Sequence, residues 1–267
     1  MLRDITIGQY FPGKSIVHRV DPRLKLVLVI AMIVTLFLAS GPISYALLAL
    51  YIFSVIKISG IQPGMVVRGL KPVVFIVAFT AILNLFYTPG NELWGWGFLH
   101  ITDQGIRVAI LMVLRILLLI IGTSMLTYTT SPIELTDGLE MLLSPFKKIH
   151  LPVHELAMMM SIALRFIPTL IEETEKIIAA QKARGADFES GSLIQRARAM
   201  VPILVPLFIS AFRRADELAI AMECRLYRGD VGRTRMKQMK FGRVDVLAGT
   251  VSVVLFAAII VISRFGW

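Results

Sequence analysis

The chain has one cysteine, Cys224, and few charges: Asp, Glu, Lys and Arg together make 17% of its 267 residues. A lone cysteine excludes a disulfide framework and argues against a cysteine-based metal site. So little charge excludes an ordinary soluble domain, where about 25% of residues are charged and about 45–50% apolar. Histidine is scarce too. Its four positions, 18, 100, 150 and 154, fall on different faces and are expected on different sides of a membrane, so no metal site is expected. The opening MLRDITIGQYFPGKS lacks the apolar core of a signal peptide, so the first hydrophobic stretch is expected to persist in the mature protein.

What is present is apolar. Hydrophobic residues make 56% of the chain and the mean hydropathy is +0.75, which calls for a solvent other than water. The net charge is +10, from 28 Lys and Arg against 18 Asp and Glu. On a membrane protein such an excess faces anionic headgroups on the cytoplasmic side. A lipid bilayer is therefore the expected partner, and nucleic acid is not.

Five stretches are long and apolar enough to cross a bilayer at about 20 residues per crossing. They lie near Leu24–Ser40, Ile43–Ser59, Val73–Thr88, Ile106–Thr127 and Val244–Ser263. The turn Ala39–Ser44 and the loop Pro89–Gln104 carry no Lys or Arg. The N-terminus carries Arg3, Lys14, Arg19, Arg23 and Lys25, and the second-to-third connection carries Lys57, Arg68 and Lys71. The positive-inside rule then places the N-terminus in the cytoplasm and, after five crossings, the C-terminus outside. Trp94, Trp96, Phe265 and Trp267 are expected at the outer interface.

The sequence thus divides into an N-terminal membrane region (1–128), a charged helical region (129–242) and a C-terminal crossing (243–267). The fold class expected is all-α, a polytopic membrane protein with about five transmembrane helices. In the middle region Ser131 is placed to N-cap a helix with Pro132 first and Glu134 three residues on. A second helix begins near Pro152, with Leu156, Met159, Ala163, Phe166, Ile167, Leu170, Ile171 and Ile178 as its apolar stripe, and stops at Gly185. A third runs from about Ser192 to Arg228 and stops at Gly229. Pro168, Pro202 and Pro206 should kink these helices.

Two motifs mislead. Gly8 to Ser15 spells the phosphate-binding pattern G-x-x-x-x-G-K-[ST]. That loop needs a buried strand before it and a helix after it. Here only Ile5, Thr6 and Ile7 precede it, and Pro22 interrupts the segment after it, so a tight turn at the inner membrane surface is expected. His154-Glu155 opens like the zinc-protease pattern H-E-x-x-H, but Met158 stands where the second histidine belongs. No catalytic residue, cofactor or metal is expected.

Arg115 lies near the middle of the fourth span, where a charge costs from about 2.5 kcal/mol upward and normally faces protein or water. Backbone carbonyls or a group on another subunit are its expected partners; snorkelling would demand a long reach. There is also a weak internal repeat, for which chance similarity between two amphipathic helices is the alternative. Glu172–Gly185 can be laid over Arg213–Leu226, so that Arg184 matches Arg225 and Glu172 and Glu173 match Arg213 and Arg214 with charge reversed. Two arginine-bearing helix ends suit two similar partners that present carboxylates, because the guanidinium fork binds two oxygens at once. If the helices cross near the charged pairs, a clasp between them would hold the ends at a fixed spacing; the alternative is that both pairs face water or headgroups.

The chain resembles the transmembrane (T) components of energy-coupling-factor ABC transporters along nearly its whole length. The residues that carry the resemblance are GlyGlnTyr-x-ProGly and HisArgValAspProArgLeuLysLeu at the N-terminus, ThrThrSerPro at 129–132, ProValHisGluLeuAlaMetMet at 152–159 and LeuArgPheIlePro at 164–168. AlaArgGly at 183–185 and AlaMetGluCysArgLeuTyr at 221–227 complete the set. The resemblance implies a non-catalytic subunit of the cell membrane joining two P-loop ATPases to a small substrate-binding S component, with vitamins or transition-metal ions as cargo. It implies that Ala183, Arg184 and Gly185, and Cys224, Arg225 and Leu226, dock the ATPases. The second signature usually has a small residue after its arginine, and Leu226 is bulky. A membrane enzyme acting on lipid or peptide, or a scaffold unrelated to transport, are the alternatives; the enzyme would need a convergent set of ionisable groups near the membrane, and Arg115 stands alone.

Overall fold

The computed structural model describes residues 10–89, 91–96, 99–149, 152–188, 192–229 and 239–264. Arg3, Gly8, His150, Phe265 and Trp267 lie outside them. The chain divides into two compact units, one of residues 8–139 and 238–267 and one built from residues 140–237.

The first unit holds a short α1 (Ile16–Arg19), then α2 (Pro22–Leu38), α3 (Pro42–Ser59), α4 (Pro63–Leu70), α5 (Val74–Tyr87), α6 (Asp103–Thr129) and α10 (Arg243–Arg264). The starts follow from local chemistry. Asp21 caps α2 by accepting from the Arg23 amide, Thr102 caps α6 by accepting from Gly105, and Pro opens α2, α3 and α4 at a position that needs no N–H. Helix α3 ends on Gly60 in the left-handed region (φ 73°), which glycine enters without a Cβ clash. The architecture is helical as expected, with one small addition between α5 and α6: an antiparallel hairpin of β1 (Glu92–Trp96) and β2 (Leu99–Thr102).

The core of this unit joins α2, α3, α6 and α10 through Met32, Leu36, Leu48, Ile52, Leu118, Phe256 and Ile259. Gly122 on α6 lets α2 approach closely: a Cβ there would sit 2.6 Å from the Met32 sulfur. The opposite faces expose Val27, Ile30, Phe53, Phe75, Phe79, Val253 and Val254, a surface suited to lipid tails.

Helix α7 (Pro132–Leu143) comes next, its first turn capped by Ser131, which accepts from the Glu134 amide at 3.3 Å. The second unit is dominated by α8 (Val153–Ala183) and α9 (Leu193–Cys224), the latter opened by a capping box of Ser192 and Gln195.

Among the described residues six helices are long and apolar enough to cross a membrane: Pro42–Ser59, Pro63–Tyr87, α6, α8, Ile194–Cys224 and α10. The protein is a multi-pass membrane protein. Helix α2, 17 residues, spans about 26 Å at 1.5 Å per residue, the short end of what a crossing needs. Against the five expected, α2 drops out on length while length and apolar content admit α8 and α9, which gives six. Both also carry clustered charges, Glu172, Glu173, Glu175 and Lys176 on one, Arg213, Arg214, Asp216 and Glu217 on the other.

Candidate functional site

Helices α8 and α9 pack antiparallel. Their side chains meet in a ladder whose partners run in opposite directions. Gln181 Nε2 donates to the Pro202 carbonyl (3.3 Å), Ser210 Oγ and Arg214 Nη2 both donate to Glu173, and the Tyr227 hydroxyl donates to the Met158 sulfur (3.2 Å). The first rung has a backbone cause. Pro206 has no N–H to offer the carbonyl four residues back, so Pro202 is left with a free acceptor, and Gln181 fills it.

Each helix ends in the same way. At the end of α8 Arg184 is the cap, the Gly185 amide bonds to the Lys182 carbonyl (3.0 Å) and the Ala186 amide to the Gln181 carbonyl (3.0 Å). At the end of α9 Arg225 is the cap, the Leu226 amide bonds to Glu223 (2.8 Å) and the Tyr227 amide to Met222 (3.0 Å). Both are complete Schellman motifs. The motif requires a left-handed residue after the cap. Gly185 supplies it at φ 87° and Leu226 at φ 57°; Leu226 is the one non-glycine with positive φ among the described residues. For an L-residue this conformation costs about 1–2 kcal/mol, and Leu226 is 75% exposed. Ala183, Arg184, Gly185, Cys224 and Arg225 are exposed as well.

The repeat and the antiparallel packing together impose local two-fold symmetry. Residues equivalent under such an axis touch one another only on the axis. Glu173 and Arg214 are equivalent in the repeat, and they form an ion pair at 2.6 Å, with side chains 22% and 31% exposed. Glu173 lies eleven residues before Arg184, and Arg214 eleven before Arg225. Each arginine end is therefore about 16 Å along its helix from the ion pair, and the two ends stand roughly 33 Å apart at opposite ends of the pair. Of the four charges singled out in the sequence, these two meet; Glu172 and Arg213 are exposed to solvent. Ser210, the third member of the cluster, gave no signal in the sequence.

Beside the second end lies a cleft of about 620 Å³, lined by Met158, Arg165, Leu218, Arg225, Leu226 and Arg228 among others.

In the other unit, Arg115 is half-buried. Its Nε donates to the Tyr45 hydroxyl (2.7 Å) and its Nη2 to the Ala39 carbonyl (3.3 Å), and that hydroxyl donates to the same carbonyl (3.1 Å). A backbone carbonyl was expected; the tyrosine, from the next helix, was not. Close by, the Ser263 hydroxyl accepts from the Ser40 amide and donates to the Leu38 carbonyl, fastening α10 to the α2–α3 turn.

At the other end of α2 a second polar cluster joins segments that sequence reasoning left separate. Lys25 is buried, and its ammonium group donates to the Thr129 carbonyl and the Thr130 hydroxyl (both 3.0 Å) and to the His18 carbonyl (3.4 Å). The last carbonyls of α6 have no intrahelical donor, so Lys25 caps Thr129 while the Phe11 amide caps Tyr128 (3.0 Å). Asp245 accepts from the amides of Asp21 and Gly242, both at 2.7 Å, and Asp21 pairs with Arg23 at 2.8 Å. Burial would raise the Asp21 carboxyl, but the Arg23 guanidinium and amide outweigh it and hold the group below its usual range.

Neither misleading motif gains support. Tyr10–Lys14 is irregular, α1 has four residues, and the Ser15 hydroxyl is engaged with His18 Nδ1 at 2.7 Å. His154 pairs with Glu140 at 3.0 Å, and no group of three or more metal-ligating side chains occurs among the described residues.

Residues 13–237 match the family described as cobalt transport protein (CbiQ). The chain is 56% identical over 263 residues to the energy-coupling factor transporter transmembrane protein EcfT of Ruminiclostridium cellulolyticum, covering 98% of each chain. It is 54% identical to the protein of that name from Clostridium kluyveri, covering 100% of this chain and 99% of the other. To that of Bacillus subtilis it is 47% identical, covering 99% and 100%. These are names of transport components and not of enzymes.

Proposed function

This chain belongs to the CbiQ cobalt-transport family, among relatives named as energy-coupling-factor transmembrane proteins, and on that premise we propose that it is the coupling subunit of an ATP-driven importer. It joins two cytoplasmic P-loop ATPases to a small membrane-embedded S component that selects a vitamin or transition-metal cargo. The observation that carries the proposal is the pair of matching arginine-capped ends of α8 and α9, exposed at opposite ends of one antiparallel pair. Two like ends suit two like partners. A rigid bar between them lets motion of either partner move both ends, and the ion pair of Glu173 and Arg214 sits at the middle of that bar.

In this arrangement the N-terminus is cytoplasmic and the C-terminus external. Helices α8 and α9 lie on the cytoplasmic side with their exposed apolar residues, such as Met159, Met160, Phe208 and Phe212, turned to the membrane or the S component. Arg115 is held inside the protein by Tyr45 and serves to fix α3 against α6. Reversing Arg184 and Arg225 to glutamate together should remove both ATPases from the purified complex, since losing one partner of a buried interfacial charge pair costs about 2–5 kcal/mol. Recovery of both ATPases at the wild-type ratio with the double variant would refute the assignment.

A further inference from the structure

The local two-fold symmetry of α8 and α9 is broken at one place, and the break is at the second end. Where the first end reads Arg184-Gly185-Ala186-Asp187, the second reads Arg225-Leu226-Tyr227-Arg228. The backbone is the same Schellman turn in both. Glycine, which enters the left-handed region freely, would suit both; the second end holds a leucine there instead and leaves 75% of it exposed. Within the chain the leucine therefore gains neither conformational ease nor burial. A strained backbone that presents an apolar side chain to solvent points to a contact made outside the chain. The surroundings differ as well. Arg165, across on α8, joins Arg225 and Arg228 along the 620 Å³ cleft beside Leu226. None of the three forms an ion pair among the described residues. At the position equivalent to Arg165 stands Pro206, and at that equivalent to Arg228 stands Asp187. In sequence this end is flanked by Glu223, whose backbone carbonyl closes the turn, and by Asp230, which lies outside the described residues.

We infer that Leu226 is a specificity residue: it seats in an apolar socket, rimmed by carboxylates that meet Arg165, Arg225 and Arg228, on one of two non-identical ATPases. The first end, with glycine and an aspartate in place of leucine and arginine, asks for no such socket and receives the other ATPase. The inference rests on the docking role proposed above and adds to it which end distinguishes the partners, and by what contact.

The chain's single cysteine, Cys224, is exposed beside Arg225 and reports on this end alone. The full chain in lipid nanodiscs is mixed with each of its two ATPases in turn, and the rate of Cys224 alkylation by a maleimide is measured. An Ala183→Cys, Cys224→Ala variant reports on the first end in the same way. In the wild type one ATPase should slow Cys224 alkylation by tenfold or more relative to the other. Leu226→Gly should reduce that preference by on the order of tenfold, the factor that burying one leucine carries. Leu226→Asn, which also tolerates the left-handed backbone, should do the same, whereas Leu226→Met should retain the preference. If Leu226→Gly and Leu226→Asn keep the wild-type preference while docking persists, the leucine is not the discriminator. The inference also fails if one ATPase species protects both ends equally. If neither ATPase protects either end, the docking role fails, and the inference with it.

Discussion

The ion pair between Glu173 and Arg214 offers the sharpest test of the bar between the two ends, because its geometry differs from a simple fourfold charge cluster. Arg214 Nη2 lies 2.6 Å from Glu173 Oε2, and the Ser210 hydroxyl donates to the other carboxylate oxygen. With side chains 22% and 31% exposed, the pair lies between the exposed range of about 0.2–1 kcal/mol and the roughly 1.5–3 kcal/mol of hydrogen bonds to charged groups away from water. A coupling of about 1 kcal/mol is therefore expected. The assay is a double-mutant cycle of Glu173→Ala and Arg214→Ala, read by thermal unfolding of the purified chain and by ATP-driven cargo uptake into proteoliposomes. Exchanging the charges, Glu173→Arg with Arg214→Glu, should restore part of what either single reversal loses. The same cycle at Glu172 and Arg213, both exposed, should be additive. A Glu173–Arg214 coupling no larger than the additivity error of about 0.3–0.5 kcal/mol would refute the reasoning. The helices would then be held by their apolar faces and by the Gln181–Pro202 and Tyr227–Met158 rungs.

Lys25→Met leaves the Thr129 carbonyl and the Thr130 hydroxyl buried without their shared donor, and should destabilise the purified chain by about 1–3 kcal/mol in a denaturant titration. Asp21, its carboxyl held low by Arg23, adds stability that is fully present above the ordinary carboxylate value and is lost as pH falls through the lowered native one. The gap in melting temperature between wild type and Asp21→Asn should therefore be constant above about pH 5 and narrow below it. Tyr45→Phe removes the hydroxyl that links Arg115 to the Ala39 carbonyl and should lower thermal stability by about 1–3 kcal/mol, with Arg115→Met no worse than additive to it. Lys14→Ala should leave nucleotide binding and transport unchanged, since the segment around it forms an irregular turn; ATP binding by the isolated chain that is lost on this substitution would contradict that view.

The sequence by itself determined what depends on near neighbours. Uninterrupted apolar runs set α3, α6 and α10 to within about three residues, because a crossing helix needs only length and lipid solubility. Ser131 and Ser192 marked helix starts, and Gly185 marked a stop, because capping is chemistry within four residues. The repeat placed Arg184 opposite Arg225. The hairpin of β1 and β2 was missed because so short a pair shows too little alternation in a loop rich in Gly and Trp.

The end of α9 marks the boundary of such reasoning. Gly229 was the expected stop, yet the helix ends at Cys224 and turns on Leu226, in a conformation that leucine avoids when left to itself. No local propensity signals it; the residue after the turn, Tyr227, donates to Met158 on the neighbouring helix, a contact the sequence does not reveal. The partner of Arg115 was hidden for the same reason, lying seventy positions away at Tyr45, and so were the acceptors of Lys25, more than a hundred positions away at Thr129 and Thr130. A buried charge must find partners, and the sequence states that need, but which groups answer it depends on which helices become neighbours. That is decided by packing of whole apolar faces, and only the tertiary structure contains it.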